Sequence, residues 1–175
     1  MGIYMVSVTA EDWRGAYEGG RAEIAAGLNR ELGRRGLPPY APGPGPVPRF
    51  EEKMVPPMDG FAELCREHGV DDLLSWSVLV PVSLDSEVTV ATQEEPDEPL
   101  AIAGAPQVLL MAELLAASVP LPPEVLAASG PLALTSWYFD ASAREVPGAD
   151  TTFHTALYLH AARHCLTHGC PVVYS

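Results

Sequence analysis

Residues 132–139 read LALTSWYF. One threonine and three consecutive aromatics suit a pleated, half-buried surface, so the stretch reads as a strand. That reading decides the fold, because the segments on either side are helical. Upstream, 106–119 is apolar nearly all round, which predicts a buried helix ending at Pro120, and a short helix begins near Pro123 and stops at Gly130. Downstream, 151–168 is helical, capped by Asp150 or Thr151 and stopped by Gly169. With a strand between them the chain runs β-α-α-β-β-α-β-α-β. The expectation is an α+β fold: one mixed sheet of about five strands with about four helices packed on it, in a single globular domain over 1–175.

The other elements follow from the same logic. Residues 3–8 are a continuous apolar run and read as a buried central strand. A helix over about 21–35 puts Ile24, Leu28 and Leu32 on one stripe and stops at Gly36, although Gly27 and Gly33 inside it are unfavourable. Residues 37–57 read as a proline-rich surface loop, extended and semi-rigid. Asp59 caps a second helix bearing Phe61, Leu64, Cys65 and His68 on one face. In SWSVLVPV (75–82), alternation points Trp76, Val78, Val80 and Val82 one way, and Pro81 puts that end at or near a sheet edge. Residues 87–91 form a short strand within an acidic loop over 84–100, and 171–175 close the chain as another.

Charge is the clearest signal for function. The net charge is −13, yet 1–66 carry only −1 and 144–175 carry zero. Between positions 67 and 143 there are twelve acids and no Lys or Arg. Nucleic acids and anionic membranes both need basic side chains, so neither is an expected partner. No apolar run reaches the roughly 18 residues that span a bilayer. The first residues lack the basic start and apolar length of a signal peptide, and three cysteines without one fit free thiols in a reducing cytoplasm. A basic protein would be steered toward the acidic segment, with Asp85, Glu87, Glu94, Glu95, Asp97 and Glu98 as its binding candidates. Self-association is also compatible with this composition.

Four of the five histidines fall in HTALYLHAARHCLTHGC (154–170). At 100° per residue, Tyr158, Leu159, Ala161, Ala162, Cys165 and Leu166 fill the core-facing arc. His160, His164 and His168 share one edge, and His154 lies elsewhere. Histidines at i and i+4 can hold one metal ion, so His160–His164 or His164–His168 is a candidate pair. All three do not easily chelate one ion, since His160 and His168 lie about 12 Å apart along the axis. The pattern H-E-x-x-H is absent, so a carboxylate or thiol from elsewhere would have to complete a site. No cofactor is expected; a divalent metal on these histidines is the alternative.

Ligands of α/β sheets gather beyond the carboxyl ends of strands. Glu11, Asp12 and Trp13 follow the first strand and Asp140 follows LALTSWYF. Were those strands parallel and adjacent, Glu11, Asp12 and Asp140 would share a rim, with His164 as a further catalytic candidate. The glycines before the first helix fit neither G-x-G-x-x-G nor a P-loop, and no G-x-S-x-G elbow occurs.

Taken together, GIYMVSV, EEKMVPPMDGFAELCREHG, LSWSVLVPV and GCPVVYS resemble an uncharacterised bacterial protein family of similar length. The resemblance implies a compact cytoplasmic domain and brings no activity. The leading expectation is a non-enzymatic interaction protein, of immunity or inhibitor type, that meets a basic partner through its acidic segment. The alternatives are a small metal-assisted enzyme using the histidines and strand-end carboxylates, and a small-molecule binder with an apolar pocket near 106–119. Convergence of the histidine edge and the carboxylate rim on one concavity would favour the enzyme.

Overall fold

Residues 132–139 fold as a helix. The structure, a computed structural model, describes residues 2–16, 19–93 and 96–175. In chain order the elements are β1 (Tyr4–Ser7), α1 (Ala10–Trp13), α2 (Gly19–Arg34), β2 (Glu51–Lys53) and α3 (Asp59–Glu67). A 3₁₀ turn (Asp71–Leu74) leads to β3 (Val78–Val80), β4 (Val88–Val90), β5 (Leu100–Gly104) and α4 (Ala105–Ser118). The chain ends with α5 (Pro123–Leu126), α6 (Ala133–Ala143), α7 (Ala149–His168) and β6 (Val172–Tyr174). The class is α+β, with one mixed sheet in the order β2-β1-β6-β3-β5-β4. Its one parallel pair among the described residues is β3 with β5.

Why the misread stretch is helical shows in its spacing. Leu134, Thr135, Tyr138 and Ala141 are buried, whereas Ser136, Phe139 and Asp140 are exposed. That is a period near 3.6, and the stripe lies against α7, where the Tyr138 hydroxyl donates to Asp150 (2.8 Å). A buried carboxylate holds the helix start: Glu52 of β2, only 2% exposed, accepts from the Leu134 and Thr135 amides (2.9 and 2.8 Å) and the Thr135 hydroxyl (2.6 Å). First-turn amides have no partner within their own helix, and an anion there also meets the positive end of the helix dipole.

The sheet separates two apolar clusters. Met5, Leu79, Ala103 and Val172 point to one face, against Phe61, Val108, Leu115, Leu134, Phe153 and Leu157 of α3, α4, α6 and α7. Val78, Val80, Val88, Ile102 and Val173 point to the other, against Trp13, Ile24, Leu28 and Leu32 of α1 and α2. Trp76 belongs to the first cluster and Val78 to the second, so the expected common side for the two is corrected: the regular alternation begins only at β3. Nor does β3 lie at an edge. It sits between β6 and β5, and Pro81 falls just past its end, where no ladder amide is required.

Further differences have local causes. The 37–57 loop contains β2, a charged edge strand too short to show periodicity. The short strand expected over 87–91 is β4, while the unexpected element of the 84–100 stretch is β5 at its end, whose alanine-rich sequence carries little strand signal. Met58 rather than Asp59 is the N-cap of α3, and Gly148 rather than Asp150 or Thr151 precedes α7 in a left-handed conformation (φ 72°). The helix over 105–118 buries only one side, leaving Leu110 and Leu114 69% and 47% exposed. Gly27 has a packing reason: a Cβ there would lie 2.5 Å from a Val90 methyl, so α2 approaches β4 closely because position 27 is glycine. Among the described residues no helix is long and apolar enough to cross a membrane.

Candidate functional site

The parallel pair β3–β5 ends at Val80 and Gly104, and a cleft of about 340 Å³ opens beyond those ends. Its apolar wall is Leu84, Val108, Leu110 and Met111; its rim carries Asp72, Asp85 and Glu87. Among the described residues, no Lys, Arg or His lines it. Several bonds hold this shape. Gln107 on α4 reaches back to the β3–β4 turn, where its Oε1 accepts from the Leu84 amide (3.2 Å) and its Nε2 donates to Ser83 Oγ (2.8 Å). From the opposite layer Arg35 donates to the Ser86 and Glu87 carbonyls (2.9 and 3.3 Å), while Glu31 engages the same guanidinium at 3.0 Å. Ser75 bridges the Asp72 carbonyl and the Glu87 carboxylate. The turn bearing Asp85 and Glu87 is thus tied down on both sides, with its carboxylates exposed.

The structure divides the six partner-binding candidates. Asp85 and Glu87 sit on the β3–β4 connection, whereas Asp97 and Glu98 sit on the β4–β5 connection. Because β4 and β5 are antiparallel, those connections lie at opposite ends of the strands. Glu94 and Glu95 lie outside the described residues. Asp72 joins the first group and was not singled out from sequence, since only the fold brings its 3₁₀ turn beside the β3–β4 turn. Leu110 and Leu114 did carry a signal: they stand four apart on a helix otherwise read as buried all round.

The proposed carboxylate rim does not form. Asp140 is exposed on α6, in the layer facing α7, while Glu11 and Asp12 are on α1 in the other layer. The premise failed with the strand, because a helix at 133–143 has no carboxyl strand end to offer. Asp12 lines a separate cleft of about 680 Å³ on the open face of β1 and β2, with Tyr4, Thr9, Arg21, Arg49 and Glu51. There it meets Arg21 at 3.8 Å, while the Thr9 hydroxyl lies 3.2 Å from its carboxylate and caps α1.

His160, His164 and His168 line a third cleft, of about 300 Å³, with Phe50, Glu52 and Arg163. The His160 Nε2–H donates to the Val125 carbonyl (2.9 Å). The His164 ring lies 5.4 Å from Phe50 and 4.5 Å from His168, centroid to centroid. His154 is fully buried, with Nε2 3.2 Å from the Pro56 carbonyl, and is a packing residue. Among the described residues no three His, Cys, Asp or Glu side chains are grouped so as to hold one metal ion. All three cysteines are buried and free, and burial raises the thiol pKa of each.

Burial also lowers the pKa of His154, His160 and His164, the last to about 4 with the charge of His168 contributing. The unfolded chain, with histidines near about 6.5, therefore binds more protons than the native chain at intermediate pH. Their contribution to stability is complete above about pH 6.5 and drains away as pH falls toward about 4. Urea unfolding from about pH 7 to about pH 4.5 is expected to show falling stability, with a shallower slope in His164→Gln. Identical slopes in the two proteins would contradict this assignment.

Comparison with known proteins finds no family model, curated protein or solved structure that matches this chain. The chemistry of the site rests on its own residues.

Proposed function

We propose that the protein is a non-enzymatic interaction module that docks a basic segment of another protein, apolar on one face, in the cleft beside α4. One observation carries the reading: Leu110 and Met111 stand beside three carboxylates, with no basic side chain among the described residues that line the cleft. An apolar floor supplies affinity, and a rim of one sign selects the partner's charge and speeds encounter. A symmetric contact with a second copy would set Asp72, Asp85 and Glu87 against their own equivalents, which disfavours self-association through this face. The enzymatic alternative has less support, because Asp12, Asp140 and the histidine edge stand in three different places.

The test uses a synthetic amphipathic helix with leucines at i and i+4 and flanking lysines, followed by fluorescence anisotropy. The triple variant Asp72→Asn, Asp85→Asn, Glu87→Gln is expected to weaken binding by roughly tenfold, as exposed charge pairs contribute about 0.2–1 kcal/mol each. Leu110→Ala weakens it further, and added salt erases the difference between wild type and the triple variant. The pair Asp97→Asn, Glu98→Gln, at the far end of the strands, leaves binding unchanged. Equal affinity for wild type and the triple variant at low salt would refute the reading.

A further inference from the structure

We propose that His164 and His168 form a two-histidine site for a divalent cation of the zinc class, at the C-terminal end of α7. The pair has the i, i+4 spacing that places two imidazoles on one helical face, and their rings already lie 4.5 Å apart. His164 Nε2 is buried and has no hydrogen-bond partner among the described residues. Pro48 lines the same cleft. Nε2 is thus a ring nitrogen whose bonding capacity is unused, and a neutral ring nitrogen is what histidine offers a metal.

The rest of the cleft agrees with this geometry. Phe50 packs on His164 and fixes its ring, whereas His168 is exposed in the last helical turn and has room to swing. A cation about 2.0–2.1 Å from each nitrogen would open the ring pair slightly, and the 300 Å³ cleft leaves space for water to complete a tetrahedral set. His160 is not a ligand, because its Nε2 donates to Val125. Neighbouring charge does not forbid a cation. Arg49 pairs with Glu51 at 2.8 Å, Arg163 with Glu113 at 3.5 Å, and the Glu52 carboxylate lines the same cleft. An all-nitrogen protein set selects zinc, nickel or copper over magnesium or calcium.

Titration calorimetry of the untagged chain at neutral pH tests the site, using zinc chloride with magnesium chloride as control. One zinc per chain is expected, with no magnesium binding. His168→Gln and His164→Gln should each lower zinc affinity at least as much as the roughly 10–100-fold that loss of an outer-shell partner costs. His68→Gln, a control on exposed His68 in the turn after α3, should not. His168 is exposed, so its variant folds and is decisive even where His164→Gln does not. No zinc binding, or one-to-one binding that survives His168→Gln, overturns the proposal.

Discussion

Glu52→Ala is expected to unfold roughly 6–12 °C below the wild type, equivalent to about 3 kcal/mol in a chain of this size. The carboxylate is buried and spends both oxygens on α6, accepting from Leu134 and Thr135. Truncation leaves two first-turn amides without an acceptor, each a cost of about 1–3 kcal/mol when buried, and leaves the Thr135 hydroxyl only the more distant Lys53 carbonyl at 3.5 Å. The total stays near the lower end because Glu52 borders the histidine cleft, through which water can reach the vacated positions. Glu52→Gln separates charge from hydrogen bonding. Turned toward Thr135, its carbonyl keeps two of the three bonds, but its amide nitrogen is then a donor facing the Leu134 amide, so its loss falls between wild type and alanine. Hydrogen exchange at Leu134 and Thr135 should accelerate more than exchange in α2, which lies on the other side of the sheet. A melting temperature within about 2 °C of wild type would show that Glu52 does not hold α6.

That carboxylate also explains where the sequence was misleading. In LALTSWYF the aromatics favour a strand, yet the positions that meet α7 are 134, 138 and 141, a helical spacing visible only if the window extends beyond the aromatics to Ala141. What starts the helix is remote: an acid some eighty positions earlier, on an edge strand with the sequence EEK. No local signal encodes such a cap. The central strands 78–80 and 172–174 were legible because both faces are largely covered and nearly every residue is under pressure to be apolar, whereas 4–7 was legible from its apolar run although one face is open. The histidine edge was legible for a related reason, since helical spacing is rigid enough to place His160, His164 and His168 together. The acidic cleft was only half legible. A run without cations can be counted, but whether its carboxylates meet depends on connections, and the hairpin of β4 and β5 sends Asp97 and Glu98 away from Asp85 and Glu87.

Gly104→Ala is expected to cost about 2–3 kcal/mol and to weaken the cationic peptide in the same protein. The glycine is not required by its backbone, which is ordinary (φ −84°, ψ 129°). It is required by space. An added Cβ would overlap the Val82 carbonyl and lie 2.5 Å from Gln107 Oε1 and 3.0 Å from the Leu84 amide nitrogen. Gln107 can rotate away by giving up its bonds to Leu84 and Ser83, but the two backbone atoms belong to the turn that carries Asp85. Relief therefore comes by displacing that turn, and the rim of the cleft moves with it. Two controls isolate the cause. Gly33→Ala, in α2 with open space around its Cβ, should be neutral or stabilising by up to about 1 kcal/mol. Gln107→Ala removes the flexible half of the collision, so adding Gly104→Ala to it should cost less than in the wild type, yet still more than Gly33→Ala. A Gly104→Ala protein as stable as wild type, binding the peptide equally well, would mean that the turn yields without consequence and that its attachment to α4 does not shape the cleft.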